Sequence, residues 1–346
     1  MDNLTHSLAG ALAAKIVETN SGKHEPRARA VHETDVEQKK VYRTIFWLMV
    51  VCANLPDIDA LFNLAGDPFF VIKHHRGITH SLLFAPVLSF LPALLAYIVS
   101  PVKNLKHLWL MALLGVYLHI FFDLITSFGT QLFAPLLAER FSLDWMFIID
   151  PIFTGILLLL LFLGKRMKRH ARSFALAGAV FVVSYLLVEM ASHSVAQNRI
   201  AQAAKEQGVE AVRVSALAQP LSIFRWMGLV QTNDTVYVTH FSLFNSREPP
   251  VFRKFPQAGD RFVASAMQTE EAMWFMKFAR HPLVQSQEDG QKWIVEMRDL
   301  QFSFDPELAK TLGNAFGVVE AERRLPFILQ FEFSHDGELL ARRFNR

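Results

Sequence analysis

Apolar runs crowd one part of this chain and are sparse in the rest. Each run between residues 45 and 191 approaches the ~20 residues that a tilted helix needs to cross a bilayer. The stretches LLLLLFLG and LLGVYLHIFFDL have no polar face to turn toward water, which disfavours the alternative of a buried core in a soluble protein. The pattern therefore predicts five spans, at residues 45–64, 81–99, 105–126, 148–164 and 174–191.

A shorter apolar segment opens the chain, in MDNLTHSLAGALAAKIVE. Its apolar part, residues 8–17, predicts a helix of about four turns, too short to cross a bilayer of ~30 Å at ~1.5 Å per residue. Asp2 is acidic and no basic residue precedes the apolar part, so the pattern is not that of a cleavable signal peptide.

The residues after 191 have the composition of an ordinary soluble domain. Residues 192–208 predict a helical stalk, and TEEAMWFMKFARHP has apolar positions at helical spacing. Three short strand-like runs, TVYVTHFSLF, KWIVEMRDLQFSF and PFILQFEFS, surround that helix. The predicted fold is mainly α, a polytopic membrane helical bundle of five spans plus a short N-terminal helix, with a C-terminal α+β extramembrane domain. The predicted domains are residues 1–191 and 192–346.

Composition agrees with a membrane protein, since 52% of residues are hydrophobic, 19% are charged and the mean hydropathy is +0.24. The single cysteine, Cys52, excludes an intrachain disulfide. With five spans, the loops of one side carry twelve Lys and Arg and those of the other side three. The positive-inside rule then predicts a multi-pass inner-membrane protein with an extracytoplasmic C-terminal domain. The net charge of only +3 gives no reason to expect a nucleic-acid partner.

Histidines and carboxylates from four separate segments are expected to meet at the outer face of the membrane. In this topology the string HHRGITHS forms an outer loop, while LPDID and HIFFD lie at outer span ends and the N-terminal helix adds a histidine. The predicted metal ligands are His6, Asp57, Asp59, His75, His80, His119 and Asp123. Buried ionisable groups in membranes are costly and usually functional, which favours a site.

The spacing of these residues suits a metal ion. His119 and Asp123 are four apart on one helix face, and the proline of PDID lets two carboxylates turn toward one place. Gly77 gives the histidine loop freedom for a tight turn. Mixed His and carboxylate ligands suit zinc first, with manganese or iron as alternatives, and the number of ligands allows one or two ions.

Each residue also has a structural interpretation. A histidine such as His119 can form a helix–helix hydrogen bond, and Asp57 and Asp59 can cap helices. Arg76 is expected to bind an anionic group of the substrate, or alternatively to pair with Asp67 or Asp144 and hold the loop.

The motifs resemble those of a known family. MDNLTHSLAG, NLPDID, HHRGITHSLL, HIFFDLITSFGT and the DWMFIIDP segment resemble the YdjM-type group of membrane-bound metal-dependent hydrolases, over about residues 1–190. The resemblance implies a multi-helix membrane body, a divalent metal site and hydrolytic activity, but no substrate. Its motif positions correspond to the seven ligands named above.

The predicted function is a membrane-bound metal-dependent hydrolase acting on an ester or phosphoester of a lipid or amphiphile with an anionic head group. Asp57 or Asp59 is the expected general base and Arg76 the expected anion-binding residue. The alternative is a non-enzymatic metal-binding membrane protein or a metal transporter. Transport is disfavoured because a transporter places its ligands near the bilayer midplane, whereas these residues crowd one face. A purely structural zinc site is disfavoured by the many candidate ligands and the absence of cysteine among them.

Overall fold

A helical unit and a β-rich unit divide the chain. The computed structural model describes residues 1–21, 31–244, 249–303 and 326–345. The helical unit comprises Met1–Leu64, His74–Leu143 and Phe147–Val188. The β-rich unit comprises Ala65–Lys73, Asp144–Met146 and Glu189–Arg346, so the division falls inside the last long helix. The predicted domain boundary at 191/192 stays a prediction.

Seven α-helices precede the strands. They are α1 (Asn3–Ser21), α2 (Val31–Cys52), α3 (Phe70–His74), α4 (Ala85–Val99), α5 (Leu105–Leu124), α6 (Pro151–Arg166) and α7 (Ala171–Glu206). Short 3₁₀ helices lie at Leu55–Ala65, Ile78–His80 and Lys168–His170. Within the helical unit α1, α2 and α5 pack against one another, while α4 packs on α2 and α5 and α6 packs on α1.

The prediction of five membrane spans is wrong. Among the described residues, two helical segments are long and apolar enough to cross a bilayer, Leu105–Leu124 and Lys168–Glu206. The predicted span 45–64 is not one helix, because α2 ends at Cys52 and the chain continues as a 3₁₀ helix from Leu55, with Pro56 in its first turn. Proline cannot donate the amide hydrogen bond that an α-helix needs at that position.

Two further predicted spans form helices that are too short. α4 has 15 residues and α6 has 16, against the ~20 that a span needs. Asp150 sets the start of α6 inside the apolar run of residues 148–164. Its carboxylate accepts hydrogen bonds from the amides of Ile152 and Phe153 and so caps the first turn of the helix. An apolar run measured along the sequence therefore overstates the length of helix that it forms.

Close helix crossings form the centre of the helical unit. A Cβ atom on Gly10 of α1 would lie 2.8 Å from the carbonyl oxygen of Met49 on α2. A Cβ atom on Gly115 of α5 would lie 3.0 Å from the same oxygen and 2.9 Å from the Cβ of Cys52. The two glycines therefore let α1 and α5 approach α2 at backbone distance.

Two antiparallel sheets form the β-rich unit, each with its strands in sequence order. The first contains β1 (Arg213–Ala218), β2 (Arg225–Gln231), β3 (Thr235–Ser242) and β4 (Arg253–Pro256). The second contains β5 (Pro282–Asp289), β6 (Lys292–Asp299), β7 (Ile328–Ser334) and β8 (Leu339–Asn345). The helices α8 (Arg261–Met267) and α9 (Glu270–Phe278) lie between the sheets in the sequence.

The strands also correct the predicted fold class. The three strand-like runs correspond to β3, β6 and β7, and TEEAMWFMKFARHP contains α9. The other five strands were not predicted. The C-terminal region is β-rich, and the part of the chain that the structure describes is 52% helix and 20% strand. Buried Leu217, Met227 and Leu229 of the first sheet share a core with Leu283 of the second. The apolar alternation of β1 and β2 is weak because Gly228, Ala216 and Ala218 stand where larger apolar residues would make the pattern clear.

Candidate metal centre

The LPDID segment brings two carboxylates together because a proline stops the preceding helix. α2 ends at Cys52, and the 3₁₀ helix Leu55–Ala65 follows, with Pro56 in its first turn. Asp57 lies in the first turn of this helix, with its side chain 14% exposed. Asp59 follows two residues later and its side chain is 8% exposed. Both carboxylates are therefore placed in the protein interior but not sealed from solvent.

A tight turn positions the histidine loop. Arg76 adopts the left-handed conformation, with φ of 58°, so the turn does not depend on a positive φ at Gly77. Gly77 is needed for space, because a Cβ atom there would lie 2.7 Å from the carbonyl oxygen of His74. The turn leaves the ring centroids of His75 and His80 5.6 Å apart. The predicted tight turn is present, and its left-handed residue is the arginine.

α5 supplies a histidine and an aspartate from one face. His119 and Asp123 are both fully buried, one helical turn apart. Gly115, a further turn toward the start of α5, allows this face to approach the end of α2. At that approach the His119 Nδ1 lies 2.8 Å from the carbonyl oxygen of Ala53. The helix crossing and the position of the histidine ring thus depend on each other.

Four side chains from three segments meet, and each histidine Nε2 lies close to the other and to both carboxylate oxygens. His80 Nε2 lies 3.2 Å from His119 Nε2, 3.2 Å from Asp123 Oδ2 and 3.3 Å from Asp57 Oδ1. His119 Nε2 lies 3.3 Å from Asp123 Oδ2 and 3.5 Å from Asp57 Oδ1. These four residues form a group that can hold a metal ion.

Hydrogen bonds around the two rings favour unprotonated Nε2 atoms. A carbonyl oxygen only accepts, so the His119 Nδ1 donates to Ala53 and its Nε2 keeps a lone pair in the neutral ring. Thr79 Oγ1 donates to Asp59 Oδ2 at 2.9 Å and has one hydrogen, so it accepts from His80 Nδ1 at 3.0 Å. The His80 Nε2 is then also a lone-pair donor. This is the pattern in which a second hydrogen bond sets the tautomer of a metal-binding histidine.

The donor set fits a metal ion. Two lone pairs only 3.2 Å apart repel each other unless a cation or a proton lies between them. Asp123 Oδ2 is buried and accepts no hydrogen bond, although a buried carboxylate oxygen normally has a partner. In a regular tetrahedron with edges of ~3.3 Å the centre lies ~2.0 Å from each vertex, which is the usual zinc–nitrogen distance.

A second group shares Asp57 with the first. This group contains Asp57, Asp59 and His75, and each contributes one donor atom that lies within 4.8 Å of the other two. His75 Nδ1 is 3.0 Å from Asp59 Oδ1. Burial acts to raise the pKa of Asp59, but the hydrogen bond and charge of His75 outweigh it and lower that pKa below its ordinary value. Burial lowers the pKa of His75, which favours the neutral, ligating form of the ring.

His6 lies beside the first group but outside both sets. Its ring stacks on that of His119 with centroids 3.8 Å apart, and its Nε2 is 3.3 Å from Asp123 Oδ1. The side chain is fully buried and neither ring nitrogen forms a hydrogen bond. The structure therefore brings all seven predicted ligands together, six of them within the two groups.

Arg76 is buried against a carboxylate of the centre. It is 4% exposed, and its Nη2 lies 3.0 Å from Asp123 Oδ1 while Nη1 donates to Thr126 Oγ1 at 3.0 Å. The contact is neither with Asp67 nor with Asp144. The guanidinium therefore contacts Oδ1 of Asp123, whereas the two histidine Nε2 atoms lie beside Oδ2.

Arg140 is a residue of this centre that the sequence did not reveal. Its Nη2 donates to the carbonyl oxygen of His75 at 3.0 Å and its Nη1 to that of Gly129 at 3.2 Å. Burial, and the nearby charge of Arg76, lower the pKa of Arg140 to about 10. Arg76 and Arg140 also lie within 4.6 Å and 5.9 Å of the ring centroid of Phe128. A lone arginine in a long loop gives no sequence signal for such contacts.

Other acidic residues near the predicted site have different roles. Asp150 caps α6 and accepts a hydrogen bond from the Tyr185 hydroxyl at 2.6 Å. Asp144 forms a two-point ion pair with Arg280, within the β-rich unit. Asp2 accepts hydrogen bonds from the amide and hydroxyl of Thr5. The Met1 amino group, which the sequence also did not single out, contacts Asp123 Oδ1.

Comparisons with known proteins agree with the position of this centre. The family model described as YdjM inner membrane protein matches residues 1–196, which contain every residue of both groups. The uncharacterized protein YfhP of Bacillus subtilis (strain 168) is 37% identical over 102 residues. That match covers 29% of this chain and 30% of the relative, so the chain spans less than a third of the relative's length in the alignment. No solved structure matches the chain.

Proposed function

Since the chain belongs to the YdjM inner membrane protein family, we propose that it is a membrane-bound metal-dependent hydrolase. The substrate is an ester or phosphoester of a lipid or similar amphiphile with an anionic head group. The observation that carries the proposal is the convergence of two histidine Nε2 atoms, 3.2 Å apart, each of which lies within 3.5 Å of the same two carboxylate oxygens. Groups of this kind are costly inside a membrane protein and usually functional.

In this proposal His80, His119, Asp57 and Asp123 hold the ion, and zinc is the preferred metal because the donors are two imidazoles and two carboxylates. Manganese and iron take the same donors and are the alternatives. A bound divalent ion supplies a Lewis acid that polarises a carbonyl or phosphoryl oxygen and makes water easier to deprotonate near neutral pH. His6, whose ring stacks on that of His119 outside both groups, stays a predicted further ligand.

In this proposal the other polar side chains of the centre accept a proton, orient the ligands or bind the substrate. Asp57 and Asp59 keep 14% and 8% of their side chains exposed, and a carboxylate oxygen of either one that holds no ion is the proposed acceptor of the proton of the attacking water. Thr79 holds Asp59 and His80 in fixed orientation through its hydroxyl. Arg76 is oriented by Asp123 and Thr126, and its Nε forms no hydrogen bond, which leaves one donor for an anionic group of the substrate.

We also propose that the protein is multi-pass and that its C-terminal region is extracytoplasmic. The support comes from the segment Lys168–Glu206, the longer of the two candidate spans. Five basic residues lie at or just before its start, Lys165, Arg166, Lys168, Arg169 and Arg172. Basic residues at a span end favour the cytoplasmic side. The segment would then lead outward from the cytoplasm.

The metal centre is tested with purified full-length protein in detergent. Metal content is measured by elemental analysis, and hydrolysis is measured on phospholipids and chromogenic phosphodiesters before and after treatment with a chelator. The chelator should abolish hydrolysis, and adding back metal should restore it. The His80→Ala, Asp57→Ala double variant should lose most of the bound metal and all hydrolysis, because removing two ligands leaves the ion two donors.

The matched control is His170→Ala, which removes an exposed histidine of the basic turn and should change neither measurement. Full metal content in the double variant would place the site elsewhere. Hydrolysis that is equal in the chelated and metal-loaded protein would rule out a metal-dependent reaction.

A further inference from the structure

We propose that Asp57, Asp59 and His75 hold a second divalent cation, with Asp57 shared between two neighbouring ions. The proposal rests on the proposed function, because the first ion is that of His80, His119, Asp57 and Asp123. It adds a ligand site on the more exposed side of the same centre. Two divalent ions bridged by a carboxylate are a recurring arrangement in hydrolases that act on phosphoesters.

The geometry of the second group carries this inference. Its three donor atoms lie within 4.8 Å of one another, and His75 Nδ1 is 3.0 Å from Asp59 Oδ1. An imidazole and two carboxylates are donors that zinc and manganese accept. The side chains are 22%, 8% and 14% exposed for His75, Asp59 and Asp57, whereas those of His80 and His119 are fully buried. The second position thus keeps access to water and substrate.

Neighbouring residues hold Asp59 and His75, the two ligands that belong only to the second group, in place. The amide of Arg76 and the hydroxyl of Thr79 donate to Asp59 Oδ2, while Oδ1 lies against His75 Nδ1, so a cation bound there would replace the proton between these two atoms. The carbonyl oxygen of His75 accepts from Arg140, which holds the loop on the other side of the ring. Ligands that are already held in place favour binding of the ion, because they do not lose conformational freedom when the ion binds.

The charges near the centre decide what a second cation adds. The carboxylates of Asp57, Asp59 and Asp123 lie with the Arg76 guanidinium and the Met1 amino group, and Arg140 is nearby. Two divalent ions leave this centre with a net positive charge, which attracts the anionic head group assumed in the proposed function. A simple ion pair between His75 and Asp59 is the competing explanation.

The experiment counts ions in the full-length protein. Protein stripped with a chelator is dialysed against excess Mn²⁺, and the bound metal per chain is measured by atomic emission. The wild type should bind about two ions per chain, and the His75→Ala and Asp59→Asn variants about one each. Asp59→Asn keeps the size of the side chain and an oxygen that can accept from Thr79. His74→Ala is the matched control, since His74 is exposed and adjacent in sequence, and it should keep two ions.

Electron paramagnetic resonance of the Mn²⁺ protein gives a second readout. Two ions that share Asp57 should show magnetic coupling in the wild type, and the coupling should disappear in His75→Ala. One ion per chain in the wild type, unchanged in both variants, would overturn the second site and leave the proposed function standing. No bound ion in the wild type would overturn the proposed function as well. Loss of both ions in His75→Ala and Asp59→Asn alike would contradict a separate second position.

Discussion

Arg76 shows how far the role of one residue depends on its neighbours. The sequence offered two interpretations, an anion-binding residue of the site or a pair with Asp67 or Asp144. The structure places its guanidinium on Asp123 and Thr126 inside the centre, with 4% of the residue exposed. Anion binding stays a prediction, and the contact with Asp123 decides how it is tested.

Replacing Arg76 with alanine should leave metal content nearly intact and lower kcat/KM about 10- to 100-fold, as expected for the loss of a hydrogen bond to a charged group. Arg76→Lys should recover part of the activity, because an ammonium keeps the charge but loses the planar two-point geometry. Metal content, melting temperature and hydrolysis are measured on the same preparations. Early melting together with metal loss, without a separate kinetic defect, would make Arg76 a structural residue only.

At the scale of elements, the crossing of α5 over α2 decides whether the centre forms. Gly115 is one turn from His119, and His119 Nδ1 bonds to the carbonyl oxygen of Ala53 just after α2. A Cβ atom at Gly115 would meet backbone at 3.0 Å, so no side-chain rotation could relieve the contact. The distance between the helices and the position of the ligand are therefore coupled.

Gly115→Ala should lower the free energy of unfolding by about 1–3 kcal/mol, the usual range for overpacking, and should weaken metal binding as His119 moves away from His80. Gly155→Ala in α6 is the control, because a Cβ atom there meets nothing within 4 Å. The control should leave stability unchanged or raise it by up to ~1 kcal/mol through helix propensity. Both are measured by denaturant unfolding in detergent and by metal titration. Equal behaviour of the two variants would show that the crossing tolerates a methyl group.

At the scale of the whole molecule, the proposed orientation of α7 across the membrane predicts the compartment of the β-rich region. The basic residues at one end of Lys168–Glu206 supply the argument, and it does not depend on the number of other spans. The native Cys52 is fully buried, so an introduced cysteine can be labelled selectively.

Val251→Cys introduces a thiol at a position that is 81% exposed. A membrane-impermeant maleimide should label it in intact spheroplasts, because the positive end of α7 is expected in the cytoplasm and residue 251 on the other side. Arg169→Cys, in the basic turn, should be labelled only after lysis. The reverse pattern would place the β-rich region in the cytoplasm.

The sequence pointed to the residues that meet in the candidate metal centre, because polar side chains of this kind are unusual beside apolar runs. Histidines and carboxylates beside apolar runs, the spacing of four between His119 and Asp123, and the proline before Asp57 are visible without coordinates. The family was identified from the same motifs. The helices α5 and α7 were also predicted, from long apolar runs, and α9, β3, β6 and β7 were predicted from their apolar periodicity.

Tertiary structure alone decided the rest. Whether an apolar run becomes a full span depends on where capping residues and prolines end its helix, and α4 and α6 end too soon. The five missed strands gain their stability from pairing with partners, which a weak local pattern does not reveal. Arg140 donates to the carbonyl oxygens of His75 and Gly129, which precede it by 65 and 11 positions in the sequence. Contacts between residues distant in the sequence form only when the fold closes, so no local pattern encodes them.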